Sequence, residues 1–252
     1  MELTGKRALV TGGGRGIGAA IATALAARGA KVVVTGRTRE HLDEIAAAIG
    51  GRALVCDLGD RAATDAMVRE LAAIGRVDIL VNNAGIAESA PLADVDDAMW
   101  DRMMELDATA PFRLTRALVP AMIEARWGRV ITIASNAGLT GYGYSAAYCA
   151  AKHAVVGFTR ALAIDLGRTG VTINAICPGW VDTDMAAEAV ARIVGKTGRD
   201  EGAARAALTG MTPQRRLIAP AEVAHAAVML CSEDARGIHG QTIVIDGGQV
   251  LK

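Results

Sequence analysis

The chain carries few of the residues that signal metal or disulfide chemistry. It has 4 Cys and 4 His. Cys56, Cys149, Cys177 and Cys231 stand far apart with no CxxC pair, and His41, His153, His225 and His239 make no ligand spacing. This pattern predicts reduced thiols and no metal site, as in a cytoplasmic protein. Aromatics are 3% of the residues, so Ala, Val, Leu and Ile must build the core. Neither sign of charge dominates: 27 basic against 27 acidic residues leave a net charge of +0. No broad field attracts nucleic acid or an anionic membrane. Polar or charged residues interrupt every apolar stretch before the ~20 residues that a membrane helix needs. The N-terminus has no basic segment followed by an apolar one, so no secretory signal is expected. The expectation is a soluble, cytoplasmic protein without nucleic-acid or membrane partners.

What is present is 52% hydrophobic residues and 29 Gly in 252 residues, ample for a buried core. Short β-branched runs alternate with longer helical patterns. Strands are expected at 7–10, 31–35, 53–56, 77–81, 129–134, 171–176 and 242–245. Helices are expected at 16–28, 39–49, 61–74, 146–166 and 221–230. The stretch 96–126 reads as one long helix, bent near Pro111 or Pro120. Strands apolar on both faces belong in a parallel sheet covered on two sides. Repeated βαβ units predict an α/β fold: a single-domain, Rossmann-type, doubly wound parallel sheet of about seven strands. No linker or low-complexity tract divides residues 1–252. Residues 184–217, between the sixth strand and the last helix, read as a lid-like insertion over a ligand.

The first strand runs into Thr11-Gly12-Gly13-Gly14-Arg15-Gly16-Ile17-Gly18. Between a strand and a helix, such glycines let the backbone approach a pyrophosphate, and the helix offers free N–H groups and a positive dipole end. Gly12, Arg15, Gly16, Ile17 and Gly18 are the cofactor contacts expected there. The end of the second strand separates NAD from NADP. An acid would bind the ribose 2′-OH, whereas an Arg accommodates a 2′-phosphate. The sequence has Thr35-Gly36-Arg37-Thr38, with no acid before Glu40, and Arg15 adds a second positive charge. NADP(H) is therefore the expected cofactor, with NAD(H) as the alternative.

Ser135 stands at the end of the fifth strand. Tyr148 and Lys152, four apart, share one face of the next helix. A phenol with a reference pKa of about 10 is a poor base near neutrality. An ammonium one turn away favours its phenolate. Tyr142 and Tyr144 have no Lys one turn later. Ser135 is expected to hydrogen-bond a substrate oxygen. With Asp57-Leu58, Asn82-Asn83-Ala84-Gly85, Tyr148-Cys149-Ala150-Ala151-Lys152, Asn174, Pro178-Gly179 and Asp246-Gly247-Gly248, in order along almost the whole chain, the sequence resembles the short-chain dehydrogenase/reductase family.

The resemblance implies Tyr148 as general acid/base, Ser135 as its substrate-binding partner, and Lys152 on the nicotinamide ribose, lowering the Tyr148 pKa. It extends the cofactor-binding set to Asp57, Leu58, Asn83, Ala84, Gly85, Pro178, Gly179, Val181 and Thr183, with Tyr148 and Lys152. It also implies a homotetramer built on the 96–126 and 146–166 helices. One position departs. The family usually places an Asn five residues before an aromatic in the long helix, in a proton relay; here Asp107 precedes Phe112. The relay is expected to use the Asp107 backbone carbonyl.

Asn136, Leu139, Tyr142, the 86–92 loop and Trp180 are the expected substrate lining, with packing under the lid an equal alternative for Trp180. The lining is mostly apolar, which suits a neutral carbonyl compound. Arg215 and Arg216 are read as helix-cap or surface charges. The segments 152–162 and 170–180 resemble bacterial β-ketoacyl reductases, including polyketide ketoreductases. The expected activity is an NADPH-dependent carbonyl reductase acting on a ketone or secondary alcohol, with a 3-oxoacyl thioester as the best single substrate. The alternatives are an NAD-dependent secondary-alcohol dehydrogenase and a non-catalytic dinucleotide-binding regulator.

Overall fold

Strands with β-branched residues on both faces have no side that can face water. In the computed structural model, which describes residues 2–250, the inner strands are buried on both faces, whereas the edge strands expose Val55 and Val244. Met1, Leu251 and Lys252, at the ends of the expected 1–252 domain, lie outside the described residues. The strands are β1 (Arg7–Thr11), β2 (Lys31–Gly36), β3 (Arg52–Val55), β4 (Ile79–Asn82), β5 (Gly128–Ile133), β6 (Val171–Pro178) and β7 (Thr242–Ile245). They form one sheet of order β3-β2-β1-β4-β5-β6-β7. All of its pairings are parallel.

The period of two sorts the core into two layers. Ala8, Val10, Val34, Val81 and Ile131 pack on one face with Ile21 and Leu25 of α1 (Gly16–Ala26), Leu42 of α2 (Arg39–Ile49) and Val223 of α9 (Pro220–Leu230). Leu9, Val33, Leu80 and Val130 pack on the other. Their partners are Leu71 of α3 (Arg61–Ile74), Leu114 of α5 (Ala110–Glu124) and Leu166 of α6 (Ala146–Leu166). Aspartates set several helix starts. Asp60 accepts the N–H groups of Ala62 and Ala63 at 2.8 and 3.1 Å, and Asp96 that of Met99 at 2.7 Å.

The long helix is not continuous. It consists of α4 (Asp97–Met104), a π-turn (Glu105–Thr109) and α5. Pro111 is the cause, and it acts one turn earlier than a kink at the ring itself. It has no N–H for the carbonyl four residues back, that of Asp107, so the winding widens there. Pro120 is carried inside α5. The residues expected to form a lid are two helices, α7 (Asp184–Thr197) and α8 (Glu201–Thr209), bracketed by a parallel bridge between Val181 and Ile218. No helix among the described residues is long and apolar enough to cross a membrane.

Arg216 closes the start of α9. Its guanidinium holds both oxygens of Glu222 at 2.6 and 2.7 Å, and Glu222 also accepts the Ala219 N–H at 2.7 Å. Arg216 and that N–H hold the Glu222 carboxyl down at about 2, against an ordinary 4.5. A depressed carboxylate stabilises the fold above its unfolded pKa, and that contribution is lost as pH falls from about 4.5 towards 2. Glu222→Gln is expected to lower stability by about 1 kcal/mol at neutral pH, since the pair is largely solvated, and to converge with the parent in acid. Urea midpoints at both pH values check this; equal midpoints at neutral pH would remove the cap from the account.

Candidate active site

The chain steps outward from β1 through β2 to β3 and then crosses back to β4 on the other side of β1, so a crevice opens at the carboxyl ends of β1 and β4. The Gly-rich turn fills its floor. Gly12 has φ +62°, and a Cβ there would sit 2.9 Å from Asn83 Nδ2. A Cβ on Gly18 would overlap the Gly12 carbonyl, and one on Gly13 would come within 2.7 Å of Val34. Only hydrogen fits at these points. Arg15, the N-cap of α1, makes no side-chain cap, so the first N–H groups of that helix face outward for an anion.

Thr11 is a site residue that sequence reasoning did not single out. Its buried hydroxyl accepts the N–H groups of Asn83 and Ala84, each at 2.9 Å. Asn83 returns its Nδ2 to the carbonyls of Thr11 and Gly12 at 2.9 and 3.2 Å. The loop after β4, with Gly85, is thereby stitched to the phosphate turn. A hydroxyl at the end of a buried apolar strand was the available signal. Registers of Thr11 with Thr35 and Gly36 with Val55 put Arg37 and Asp57 on the same edge as the turn. Arg37 is exposed and makes no ion pair with any described residue. Arg15 pairs with Asp184 of α7 at 2.9 Å, both exposed. Asp57 is exposed and accepts the Gly59 N–H at 2.9 Å; Leu58 is buried. Ile17 packs against the α1 core layer.

Beyond β6, the Gly179 N–H donates to Ile245 at 3.0 Å, and a Cβ at Gly179 would meet Asp246 at 2.8 Å. Pro178 is the last residue of β6, Val181 is buried, and Thr183 opens α7. A Cβ on Gly16 would lie 3.2 Å from Thr183 Cγ2, so the base of α7 rests against the turn.

Ser135 lies just past β5 rather than in it. It caps a short 3-10 turn (Asn136–Gly138), with its Oγ accepting the Ala137 N–H at 3.1 Å. Lys152 Nζ stands 5.5 Å from the centre of the half-buried Tyr148 ring. It donates to the Ile133 carbonyl at 3.3 Å and lies 2.9 Å from Asp107 Oδ1. Burial works against the ammonium, but Asp107 and Tyr148 outweigh it and raise the Lys152 pKa. Burial also pushes the Tyr148 phenol up. Lys152 and a hydrogen bond with Ser135 pull it back, and Asp107 adds to the rise. The expected acidification by Lys152 is therefore present but outweighed by burial. Asp107, expected to act through its backbone, engages through its side chain. It is 1% exposed, and its Oδ2 accepts the Ile86 N–H at 3.2 Å. Burial pushes its carboxyl up, and Lys152 opposes this.

Among the residues expected to line the pocket, Asn136 is buried, and its Nδ2 donates to Asp246 and Gln249 at 3.3 and 3.1 Å. Leu139 packs against the cluster of Ala134, Val155, Val156 and Cys177. The Tyr142 hydroxyl is buried without a partner, and burial, then Asp246, pushes it up to about 12. Trp180 packs on Ala189, Val190, Ala204 and Leu208 of the two lid helices. No group of three or more His, Cys, Asp or Glu among the described residues is placed to hold a metal.

The floor without room for Cβ atoms, the uncapped α1 terminus, the unpaired Arg37 and the buried Tyr148–Lys152 pair fit a dinucleotide. Known proteins agree. A family model described as enoyl-(acyl carrier protein) reductase matches residues 12–249. The 3-oxoacyl-(acyl-carrier-protein) reductase FabG of Escherichia coli is 38% identical over 254 residues, spanning 100% of both chains. D-beta-hydroxybutyrate dehydrogenase of Cupriavidus necator is 39% identical over 257 residues, spanning 99% of this chain and 100% of that one. A crystal structure of an actinorhodin polyketide ketoreductase variant with NADPH superimposes with TM-score 0.93 at 35% identity over 97% of each chain. Fold, site and kinship together make the chain a member of the short-chain dehydrogenase/reductase family, oxidoreductases that act on CH–OH and C=O groups.

Proposed function

We propose that the chain is an NADPH-dependent ketoreductase acting on a 3-oxoacyl thioester or a related ketone. The observation that carries this reading is the Ser135–Tyr148–Lys152 group beside a phosphate turn with Arg37 free at its edge. The names of the Escherichia coli and actinorhodin relatives support the substrate class and the cofactor.

The dinucleotide, when bound, supplies a hydride at nicotinamide C4. Tyr148 gives its phenolic proton to the substrate oxygen, and in the reverse direction takes it back as a base. Ser135 hydrogen-bonds that oxygen and fixes its approach. Lys152, held as an ammonium by Asp107, stays charged beside the phenol. Arg37, with Arg15, would hold the 2′-phosphate; Gly12, Gly16, Ile17 and Gly18 would receive the pyrophosphate; Asp57 and Leu58 would meet the adenine side. Asn83, Ala84, Gly85, Pro178, Gly179, Val181 and Thr183 border the nicotinamide half. The 184–217 segment of this single domain closes over Asn136, Leu139, Tyr142 and Trp180 as a lid. The enzyme works in the cytoplasm as a homotetramer, with the exposed Trp100 and Phe112 of α4 and α5 inside the assembly.

An NAD-dependent secondary-alcohol dehydrogenase is the second reading, favoured by the 39% identity to the hydroxybutyrate dehydrogenase. Comparing kcat/KM for NADPH and NADH on 3-oxoacyl thioesters and simple ketones separates the two. NADPH is expected to win. Arg37→Ala is expected to lose about 10- to 100-fold with NADPH, the value of a charged hydrogen-bonded pair, and little with NADH. A parent enzyme that prefers NADH would overturn the cofactor assignment, and no turnover with any carbonyl would favour a dinucleotide-binding regulator.

A further inference from the structure

We propose that Asp107 is a positioning residue that biases the enzyme towards reduction, its buried carboxylate cancelling the charge of Lys152 so that Tyr148 stays protonated. The proposal deepens the ketoreductase reading and rests on it for the direction of catalysis.

The pair is closed to water: the Lys152 side chain is 6% exposed and that of Asp107 0%. At 2.9 Å and without solvent, neither charge is screened from the other. Asp107 Oδ1 faces the ammonium, and Oδ2 accepts the Ile86 N–H at 3.2 Å. Oδ1 meets the ammonium as an ion pair and Oδ2 takes the Ile86 N–H, so the carboxylate is the form these contacts favour. Room for it is made by Gly85, where a Cβ would overlap Oδ1. The π-turn supplies the approach, since Asp107 lies at its middle.

Tyr148 is faced by few groups. From α6 come Lys152 and Cys149, from the π-turn Asp107, and from the turn after β5 the Ser135 hydroxyl. Cys177 of β6 faces Lys152, and burial pushes its thiol up to about 11, so it carries no charge near neutrality. The opposed pair is therefore Lys152 against Asp107. An amide at position 107 would leave the ammonium uncompensated and the phenol more acidic.

In reduction, the Tyr148 proton moves to the carbonyl oxygen as hydride adds to the carbonyl carbon. The tyrosinate left behind regains a proton from solvent. Oxidation requires the tyrosinate first: it takes the hydroxyl proton while the carbon gives its hydride to NADP+. A neutralised Lys152 leaves the phenol proton in place through neutral pH. The acid form is then abundant and the base form scarce, so the alkaline demand falls on the oxidative direction.

The test is Asp107→Asn, read in two ways. First, tyrosinate absorbance is titrated in the cofactor-free protein, taking the parent minus Tyr148→Phe, and Asp107→Asn minus the double variant. The Tyr148 step is expected about one pH unit or more lower in Asp107→Asn, and Asp107→Glu is expected to titrate like the parent. Second, alcohol oxidation at neutral pH is expected to rise about tenfold relative to ketone reduction, as one unit implies, with its pH profile shifted by the same amount. An unshifted Tyr148 step in a folded neutral variant overturns the proposal. If Asp107→Asn does not fold, Asp107→Ser provides the neutral residue. Failure of both to fold also overturns it, because the carboxylate would then serve stability. A shifted titration without turnover of any ketone counts against the ketoreductase reading while leaving the charge pairing intact.

Discussion

Tyr148→Phe is expected to lower kcat by about 10²- to 10⁴-fold, the range for losing a positioned proton donor. The KM for NADPH should change little, because the ring stays and only the hydroxyl goes. No neighbour takes over. Ser135 is an alcohol without an ammonium beside it and already accepts the Ala137 N–H. The Tyr142 phenol is pushed up to about 12 by burial and has no Lys one turn away. Circular dichroism and urea midpoints should match the parent, since among the described residues only Ser135 hydrogen-bonds that hydroxyl. Steady-state rates close to those of the parent would remove the phenol from the mechanism.

Gly18→Ala is expected to be among the most damaging single methyl groups in the described residues. Its Cβ would overlap the Gly12 carbonyl and sit 2.6 Å from Asn83 Nδ2. Neither can yield cheaply, since Asn83 bridges the Thr11 and Gly12 carbonyls and Thr11 holds the loop after β4. The turn must move, and forced backbone shifts of this kind cost about 3 kcal/mol. Affinity for NADPH should fall with it by tenfold or more, as the α1 N–H groups lose their aim. Gly157→Ala is the control. Nothing lies within 4 Å of a Cβ there, and in the middle of α6 alanine should gain about 0.5–1 kcal/mol. Urea midpoints with a fluorescence titration of NADPH check both; a Gly18→Ala protein that binds NADPH like the parent would show that the floor is not packed as described.

Much of this was legible one residue at a time. The bounds of α2, α3 and α6 follow from apolar spacing and from breakers such as Gly50, which ends α2 in the left-handed region. The strand pattern was enough for a two-sided parallel sheet because Val and Ile recur on both faces. What escaped reading are contacts between distant segments. The hydrogen bonds of Asn136 depend on Asp246 and Gln249, which arrive from the other end of the chain. For Trp180, packing under the lid is one of two readings open in the sequence, and its partners Ala189, Val190, Ala204 and Leu208 come from helices that follow it in the chain. Asp107 stood out as an acid where the resembling family has Asn, but its partner sits on another helix, and period alone does not bring the two together. Pro111 was a visible breaker, yet whether a chain kinks or rewinds depends on what surrounds the orphaned carbonyl.

The π-turn has a consequence for tolerance to length change. Each helical residue advances the winding by about 100°, so one residue added or removed between Met103 and Leu114 re-aims everything after it. Both of those side chains are sealed in the core, and the acid between them must point at an amine. Straightening this stretch into an ordinary helix would save one interfacial orientation only by spoiling another. A segment that a drawing shows as plain rod thus behaves as a gauge block, whose dimension is as constrained as any side chain it carries.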